Sequence, residues 1–381
     1  MAIFGGMQVD AIARFTGSGM ATYVELEDTP RKVRDAQCAV VVRAPIAQVF
    51  DTATDFSHTH EFVSLSKRSK IKPLGPNRFD VTFRQRIGLS LISIGLDMRF
   101  RMRLERPHAV HCEEYLGGTM PTATYAMRFE ALDESTTLMV FTLHGDLTTM
   151  RWLSRVFTRY VPELSAAVPA NIVVIPGTAI AAEAERRAGF TGGRAPPPPP
   201  ITEAIEDPAV QQVLRGGRTV LSLQRLDAQG DLIDVGSATR LAATPERVWD
   251  RITDPVALAR HVSYIQGGEI TRRGPGRIDY DVGMAVRAGP LRKTYRLRLD
   301  AQVVEARRLE ATRCRTNQVP TVYGEALVPD GDGTLYGHTY YADLKKDGLL
   351  KRFMSSHPEF ERLLASYPPF IRVFALREAF G

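Results

Sequence analysis

The chain carries the same segment twice. Ala44-Pro-Ile-Ala-Gln-Val-Phe-Asp-Thr-Ala-Thr-Asp55 stands beside Ala243-Thr-Pro-Glu-Arg-Val-Trp-Asp-Arg-Ile-Thr-Asp254 at an offset of 199. At that offset Val63-Ser64 meets Val262-Ser263, Ile71 meets Ile270, and Gly75-Pro76 meets Gly274-Pro275. Arg78 meets Arg277 and Asp80 meets Asp279, so 12 of the 37 positions from 44 to 80 are identical without a gap. An offset of 195 then aligns Arg101–Leu104 with Arg296–Leu299, which predicts a hairpin four residues shorter in the second copy. An offset of 197 aligns Thr137-Leu138 and Asp146-Leu147 with Thr334-Leu335 and Asp343-Leu344, and Pro162-Glu163 meets Pro358-Glu359. Collinear matches with small shifts mark a duplicated unit, so the chain must solve one packing problem twice.

Between the copies lie Gly192-Gly193 and the run Pro196–Pro200. Five prolines exclude a helix interior or central strand and predict a stiff extended spacer. The expected division of the 381 residues is 1–195, with a core at about 35–190, a proline-rich linker at 196–202, and 203–381, with a core at about 232–380. Each part is long enough to bury a core and is expected to fold alone. Before each core a short stretch recurs weakly, Gly17-Ser-Gly19 in one and Gly216-Gly217 in the other.

Within a copy the order is fixed by period. A β-branched run, Ala39–Val42, precedes two short helical stretches, with Asp55 the expected N-cap of the second. Alternating stretches follow: Phe79, Val81 and Phe83, then Phe100, Met102 and Leu104, then Tyr125, Met127 and Phe129. Period two with one apolar face predicts an antiparallel sheet that is wet on one side. The arginines at 99, 101 and 103 fall on the wet side. Mostly helical segments, 150–188 and 347–380, close the copies, and Pro162, Pro169 and Pro176 predict that the first is segmented. The fold class is α+β. A helix about 10 Å wide cannot fill the concavity of a six- or seven-stranded sheet, so an apolar cavity is expected beneath it.

Composition narrows the function. Hydrophobic residues make up 44% and charged residues 24%, which is globular. Cys38, Cys112 and Cys314 form no CxxC, which fits a reducing cytoplasm better than a disulfide framework. The first ten residues lack the pattern of a secretory leader, and the most apolar window, 170–182, is too short to span a membrane. The net charge of +6 allows peripheral contact with an anionic membrane surface, while no nucleic-acid motif accompanies it. No phosphate loop, nucleophile elbow or metal-ligand spacing is present, so no cofactor and no metal are expected. His58 and His60 sit about 200° apart on a helix and cannot share an ion, and His108 and His111 read as solvent-facing.

Ala44-Pro45, Val49-Phe50 and Asp55, with Ala243, Pro245, Val248-Trp249 and Asp254, resemble the START-like or SRPBCC superfamily. The likeness covers about 35–190 and 232–380. It implies two helix-grip domains, each a bent antiparallel sheet around a long C-terminal helix, and a hydrophobic small molecule between them. The family includes lipid carriers, coenzyme Q-binding proteins of the Coq10 type and polyketide aromatase/cyclases. The implied function is binding or carriage of a lipid, quinone or polyketide-like ligand in each domain. The alternatives are a polyketide aromatase/cyclase and a non-catalytic scaffold with vestigial pockets.

Alternation names the candidate wall. In the first copy it is Phe83, Met98, Phe100, Met102, Tyr125, Met127 and Phe129. In the second it is Tyr280, Tyr295, Leu297, Tyr323 and Tyr340, which is richer in hydroxyls. Phe100 and Tyr295 are expected at matching positions. His144, Glu325 and Tyr341 are the candidate acid–base residues, the parity of the strand around Glu325 being open.

Overall fold

The computed structural model describes residues 3–27, 32–64, 66–89, 92–145, 164–274, 276–288, 291–305, 308–316, 321–342 and 358–380. A 3-10 turn, Ile3–Gly6, opens the first half, followed by α1 (Val9–Thr16), β1 (Met20–Leu26), β2 (Val33–Val42), α2 (Ile46–Thr54) and α3 (Thr59–Phe62). Six strands run on from there: β3 (Ser66–Gly75), β4 (Arg78–Leu89), β5 (Ile92–Glu105), β6 (Ala109–Gly118), β7 (Ala123–Ala131) and β8 (Thr137–Gly145). The closing helix comes in two pieces, α4 (Leu164–Asn171) and α5 (Val174–Arg187).

The second half begins with α6 (Ile201–Ala204) and α7 (Pro208–Arg215), then β9 (Thr219–Leu226), β10 (Leu232–Leu241), α8 (Pro245–Ile252) and α9 (Pro255–Ala259). Its six strands are β11 (Ile265–Gly274), β12 (Arg277–Ala288), β13 (Leu291–Glu305), β14 (Arg308–Thr316), β15 (Thr321–Asp330) and β16 (Gly333–Ala342). One helix, α10 (Pro358–Phe380), closes it with Pro368 and Pro369 inside. No helix among the described residues is long and apolar enough to cross a membrane.

All the described strands join one 16-stranded sheet, in the order β11-β12-β13-β14-β15-β16-β10-β9-β1-β2-β8-β7-β6-β5-β4-β3. Read outward from the middle, both halves have the same order. The seam is β1 against β9, antiparallel, from Met20 opposite Gln224 to Glu25 opposite Thr219. The closing helices lie on one face. On the other face, at the seam, α1, α6 and α7 bury Ile12, Phe15, Ile201, Ile205 and Leu214 against Tyr23, Leu138, Leu221 and Leu335. The expectation of a wet second face therefore holds only for outer strands, where Arg99 and Arg103 are exposed. The polyproline run is no free spacer: Pro198 packs on Gly17, and its carbonyl accepts a 2.8 Å hydrogen bond from Arg225 Nε. Gly17 holds φ +50 with Pro198 against its open side, a place for glycine alone.

Two local expectations are corrected. The hairpins β4–β5 and β12–β13 have equal length, closing at Leu89 opposite Ile92 and Ala288 opposite Leu291. Met98 thus matches Leu297, and Phe100 matches Leu299 rather than Tyr295. A slip of four residues along a strand preserves alternation, so the sequence pattern did not distinguish the two registers. Asp254 caps α9, accepting from the amides of Val256 and Ala257 at 2.8 and 3.1 Å. Asp55, its counterpart, caps nothing. It accepts from His58 Nδ1 at 2.6 Å and from Arg187 Nη2 at 3.0 Å, tying α2 to the closing helix. The segmented first closing helix is observed as the break between α4 and α5, with Pro176 in the first turn of α5; Pro162 lies outside the described residues.

Candidate functional site

Each half holds a narrow cleft between its sheet and closing helix, of about 20 Å³ in the first half and 30 Å³ in the second. Register shifts in the β5–β6 and β13–β14 ladders bend the strands around it. The first cleft runs between α2, α3 and α5 and is walled by Phe83, Met98, Tyr125, Phe141, Leu143 and Ile180, with Ser66 and Gln85 at its polar end. The Phe83 and Tyr125 rings stack at 5.3 Å. Burial pushes the Tyr125 hydroxyl far above the ordinary phenol range.

The second cleft holds a different chemistry. Tyr280, Val282, Leu297, Tyr323, His338, Tyr340 and Arg372 line it. Behind the wall, 1% exposed, sits Glu325. Tyr323 and Tyr336 donate their hydroxyls to its two oxygens, and Arg372 Nη2 donates to Oε1. Arg372 also donates through Nε to the Tyr336 hydroxyl and through Nη2 to the Tyr323 hydroxyl, each at 2.9 Å. Arg372 itself also lines the cleft.

His338 Nδ1 lies 3.1 Å from the Gly324 carbonyl and 3.4 Å from Glu325 Oε1. A carbonyl oxygen only accepts, so Nδ1 carries the hydrogen and Nε2 the lone pair. Burial pushes the His338 pKa down and keeps the ring neutral. Burial alone would raise the Glu325 carboxyl. The Arg372 guanidinium, then His338, overcome that and hold it at about 2. The cluster is thus a buried ion pair with a neutral base beside it.

Each half is a helix-grip fold. Its closing helix lies across a curved antiparallel sheet, with the cleft between them. No protein-family model matches the chain, and no curated protein matches it. Among solved structures, the chain is similar to the di-domain ARO/CYC StfQ from the steffimycin biosynthetic pathway, at 13% identity and TM-score 0.29, over 90% of this chain and 99% of that one. The Zhui aromatase/cyclase from Streptomyces sp. R1128 is 18% identical with TM-score 0.31, over 40% of this chain and 94% of its own. A STAR-related lipid transfer protein from Xanthomonas axonopodis is 11% identical with TM-score 0.32, over 44% and 95%. The helix-grip description rests on the strand order and helix placement given above, not on these similarities.

In the two helix-grip halves the clefts correspond position by position. Strand register places Phe83 with Val282, Tyr125 with Tyr323, Phe141 with His338 and Leu143 with Tyr340. Met127 opposes Phe141 and Glu325 opposes His338, so Met127 matches Glu325. Met139 likewise matches Tyr336. At the offset of 196 that joins Pro162-Glu163 to Pro358-Glu359, Pro176 matches Arg372. An apolar set in one half is a hydrogen-bonded ionic set in the other.

The sequence candidates distribute as follows. Phe83, Met98 and Tyr125 line the first cleft, and Tyr280, Leu297, Tyr323 and Tyr340 the second. Phe100, Met102, Met127 and Phe129 are buried core and do not line it. Phe100 is 0% exposed, with the Tyr115 ring 5.3 Å and the Tyr125 ring 5.7 Å away. It is enclosed on all sides, so an arginine there would be a buried, unpaired charge. The Tyr295 side chain lies outside the described ones; its backbone pairs with Met284. His144 and Tyr341 are not in the clefts. Alternation turns Phe141 and Leu143 inward and His144 away, and Tyr340 inward while Tyr341 donates to Glu361 Oε1 at 3.1 Å. Glu325 is inward with Tyr323, Val322 being 42% exposed.

Sequence reasoning missed Arg372 and Tyr336. A lone arginine between the apolar runs Tyr367–Ile371 and Val373–Leu376 was the available signal. Among the described residues no group of three His, Cys, Asp or Glu side chains is placed to hold a metal ion.

Proposed function

We propose that the chain binds a hydrophobic or amphiphilic small molecule in each half, between sheet and closing helix. The observation that carries this is the pair of clefts at equivalent places, each walled by apolar and aromatic side chains. Phe83, Met98 and Tyr125 are the proposed contacts in the first, Tyr280, Leu297, Tyr323 and Tyr340 in the second. The clefts differ in what they accept. The first offers almost no hydrogen-bonding partner deep in its wall and suits an aliphatic chain or bare ring. The second offers Arg372 as donor and His338 Nε2 as acceptor, while Glu325 neutralises the guanidinium. A neutral ketone or hydroxyl fits there better than a carboxylate, whose charge would find no net counter-charge. Mass spectrometry of organic extracts from the purified protein tests the reading. Co-purifying lipid, quinone or polyketide-like species are expected. An empty extract, with no uptake of a fluorescent fatty acid or of a naphthoquinone, refutes it.

One observation favours aromatase/cyclase chemistry as a second reading, and it belongs to the second cleft alone. His338 Nε2 is a neutral base in an apolar wall, next to a donor that can stabilise an enolate oxygen. Removal of a proton from a carbon between two ketones, attack of that carbon on a second carbonyl, and return of the proton to the new alkoxide would use these groups in turn.

A further inference from the structure

The net charge of +6 is not spread evenly over the surface. On β4 and β5, Arg78 pairs with Glu113, Arg84 with Asp97, Arg101 with Asp80 and Glu114, and Arg103 with Glu105, while Arg99 donates to the Leu116 carbonyl. On β3, Lys67, Arg68, Lys70 and Lys72 are all exposed, and none forms an ion pair among the described residues. The one carboxylate opposite them in register, Asp80 across from Lys72, is engaged by Arg101. β3 is one of the two edge strands of the sheet among the described residues, β11 being the other. Two of the exposed large aliphatic side chains are on the same strand: Ile71 at 38%, on the face opposite Lys70 and Lys72, and Leu74 at 43%, just beyond Lys72. The strand is extended over roughly 30 Å, and it starts at Ser66, which lines the first cleft.

The matching strand of the other half, β11, is also an edge and carries an exposed aliphatic residue at the same place, Ile270 at 37%, but it lacks the basic row. At the positions of Lys67, Arg68, Lys70 and Lys72, β11 has Gln266, Gly267, Glu269 and Thr271. The fold therefore does not require the basic row. Lysines on an edge strand do guard against edge-to-edge pairing. A guard explains one or two charges, but not four cations in six positions where the equivalent stretch of edge β11 has none.

We infer that β3 is a docking strip for an anionic membrane surface. A layer of negative headgroups complements four cations on one edge strand, none of them in an ion pair among the described residues, with Leu74 just beyond them to reach the hydrocarbon boundary. Self-association through the same edge would place like charges opposite one another. Docked this way, the strip would set the mouth of the first cleft beside the bilayer.

The test is sedimentation of the full chain with vesicles of phosphatidylglycerol or of phosphatidylcholine, at low and physiological salt. The expected result is binding to phosphatidylglycerol alone, weakening as salt rises. Lys67→Gln/Lys70→Gln/Lys72→Gln is expected to cut that binding roughly a hundredfold, at about fivefold per lysine. The triple Lys→Arg variant is expected to retain it. Circular dichroism and gel filtration check that each variant keeps its fold and its size. No binding to phosphatidylglycerol, or unchanged binding by a folded Gln variant, overturns the inference. So does a Gln variant that self-associates while the native chain ignores vesicles, because the lysines are then only an edge guard. Equal, lysine-dependent binding of a DNA duplex overturns it too, since the strip would then recognise any polyanion.

Discussion

At the scale of single residues, the second cleft is built on a charge pair that water cannot reach. Arg372 is 3% exposed and Glu325 1%. Taking two ions out of water costs several kcal/mol each, and the Tyr323 and Tyr336 hydroxyls are what makes the geometry good enough to offset it. Removing one partner strands the other. Glu325→Gln is expected to destabilise the chain by about 3–5 kcal/mol in urea unfolding, whereas Glu325→Leu/Arg372→Met costs far less because no charge is left uncompensated. The acid limb follows from the same pair. Its carboxyl is held at about 2, below the ordinary 4.5. A depressed folded-state value supplies stability that is complete above the unfolded value and disappears as pH falls through the folded one. The contribution, on the order of 3 kcal/mol, should fade between about pH 4.5 and pH 2. Glu325→Gln should flatten the stability profile in that window. An unchanged slope would mean that other carboxylates set it.

Among the elements, two devices place the clefts. The closing helices are held at their proline-marked positions. In α10, Pro368 and Pro369 remove two amide donors and leave the Leu364 and Ala365 carbonyls without their ordinary helix partners, one turn before Arg372 enters the cleft. On the opposite face, the short helix α6 sits so close to β10 that only glycine fits beneath it. A Cβ on Gly236 would come within 2.0 Å of Ile201 Cγ2 and 2.6 Å of Ile201 Cβ. Gly236→Ala is therefore expected to lower the melting temperature, at a cost of about 1–3 kcal/mol. Adding Ile201→Ala should recover part of that loss, although it leaves a small cavity of its own. If the double variant melts no higher than the sum of the singles, α6 does not rest on Gly236.

Across the whole molecule, the two halves share a sheet and a core. β1 and β9 each offer a full row of backbone groups to the other, and the buried cluster at the seam draws on both. Separated fragments would expose that edge and that apolar surface together. This changes the expectation that 1–195 and 201–380 fold alone. The outcome now expected is that they co-purify when co-expressed, one carrying an affinity tag, and that each alone is aggregation-prone. Two soluble, monomeric fragments with cooperative melting transitions would show that the seam is dispensable.

Much of this was legible in the sequence. Alternation set the inward faces of β4, β5 and β7, so Phe83, Met98 and Tyr125 could be named from periodicity alone. The collinear repeat required two clefts. Alternation fell silent where both faces of a strand are covered. Around Glu325, Ala326 joins the seam cluster while Tyr323 faces the cleft, so an apolar pattern on both sides gave no parity. It was equally blind to a slip of four in β13. The Glu325–Arg372 pair spans 47 residues, and no local rule links a strand to a helix at that distance. Sequence determined what each element buries, because burial is a property of local period. Tertiary structure alone decided which polar groups meet, because that depends on how a closing helix crosses a sheet and where two sheets become one.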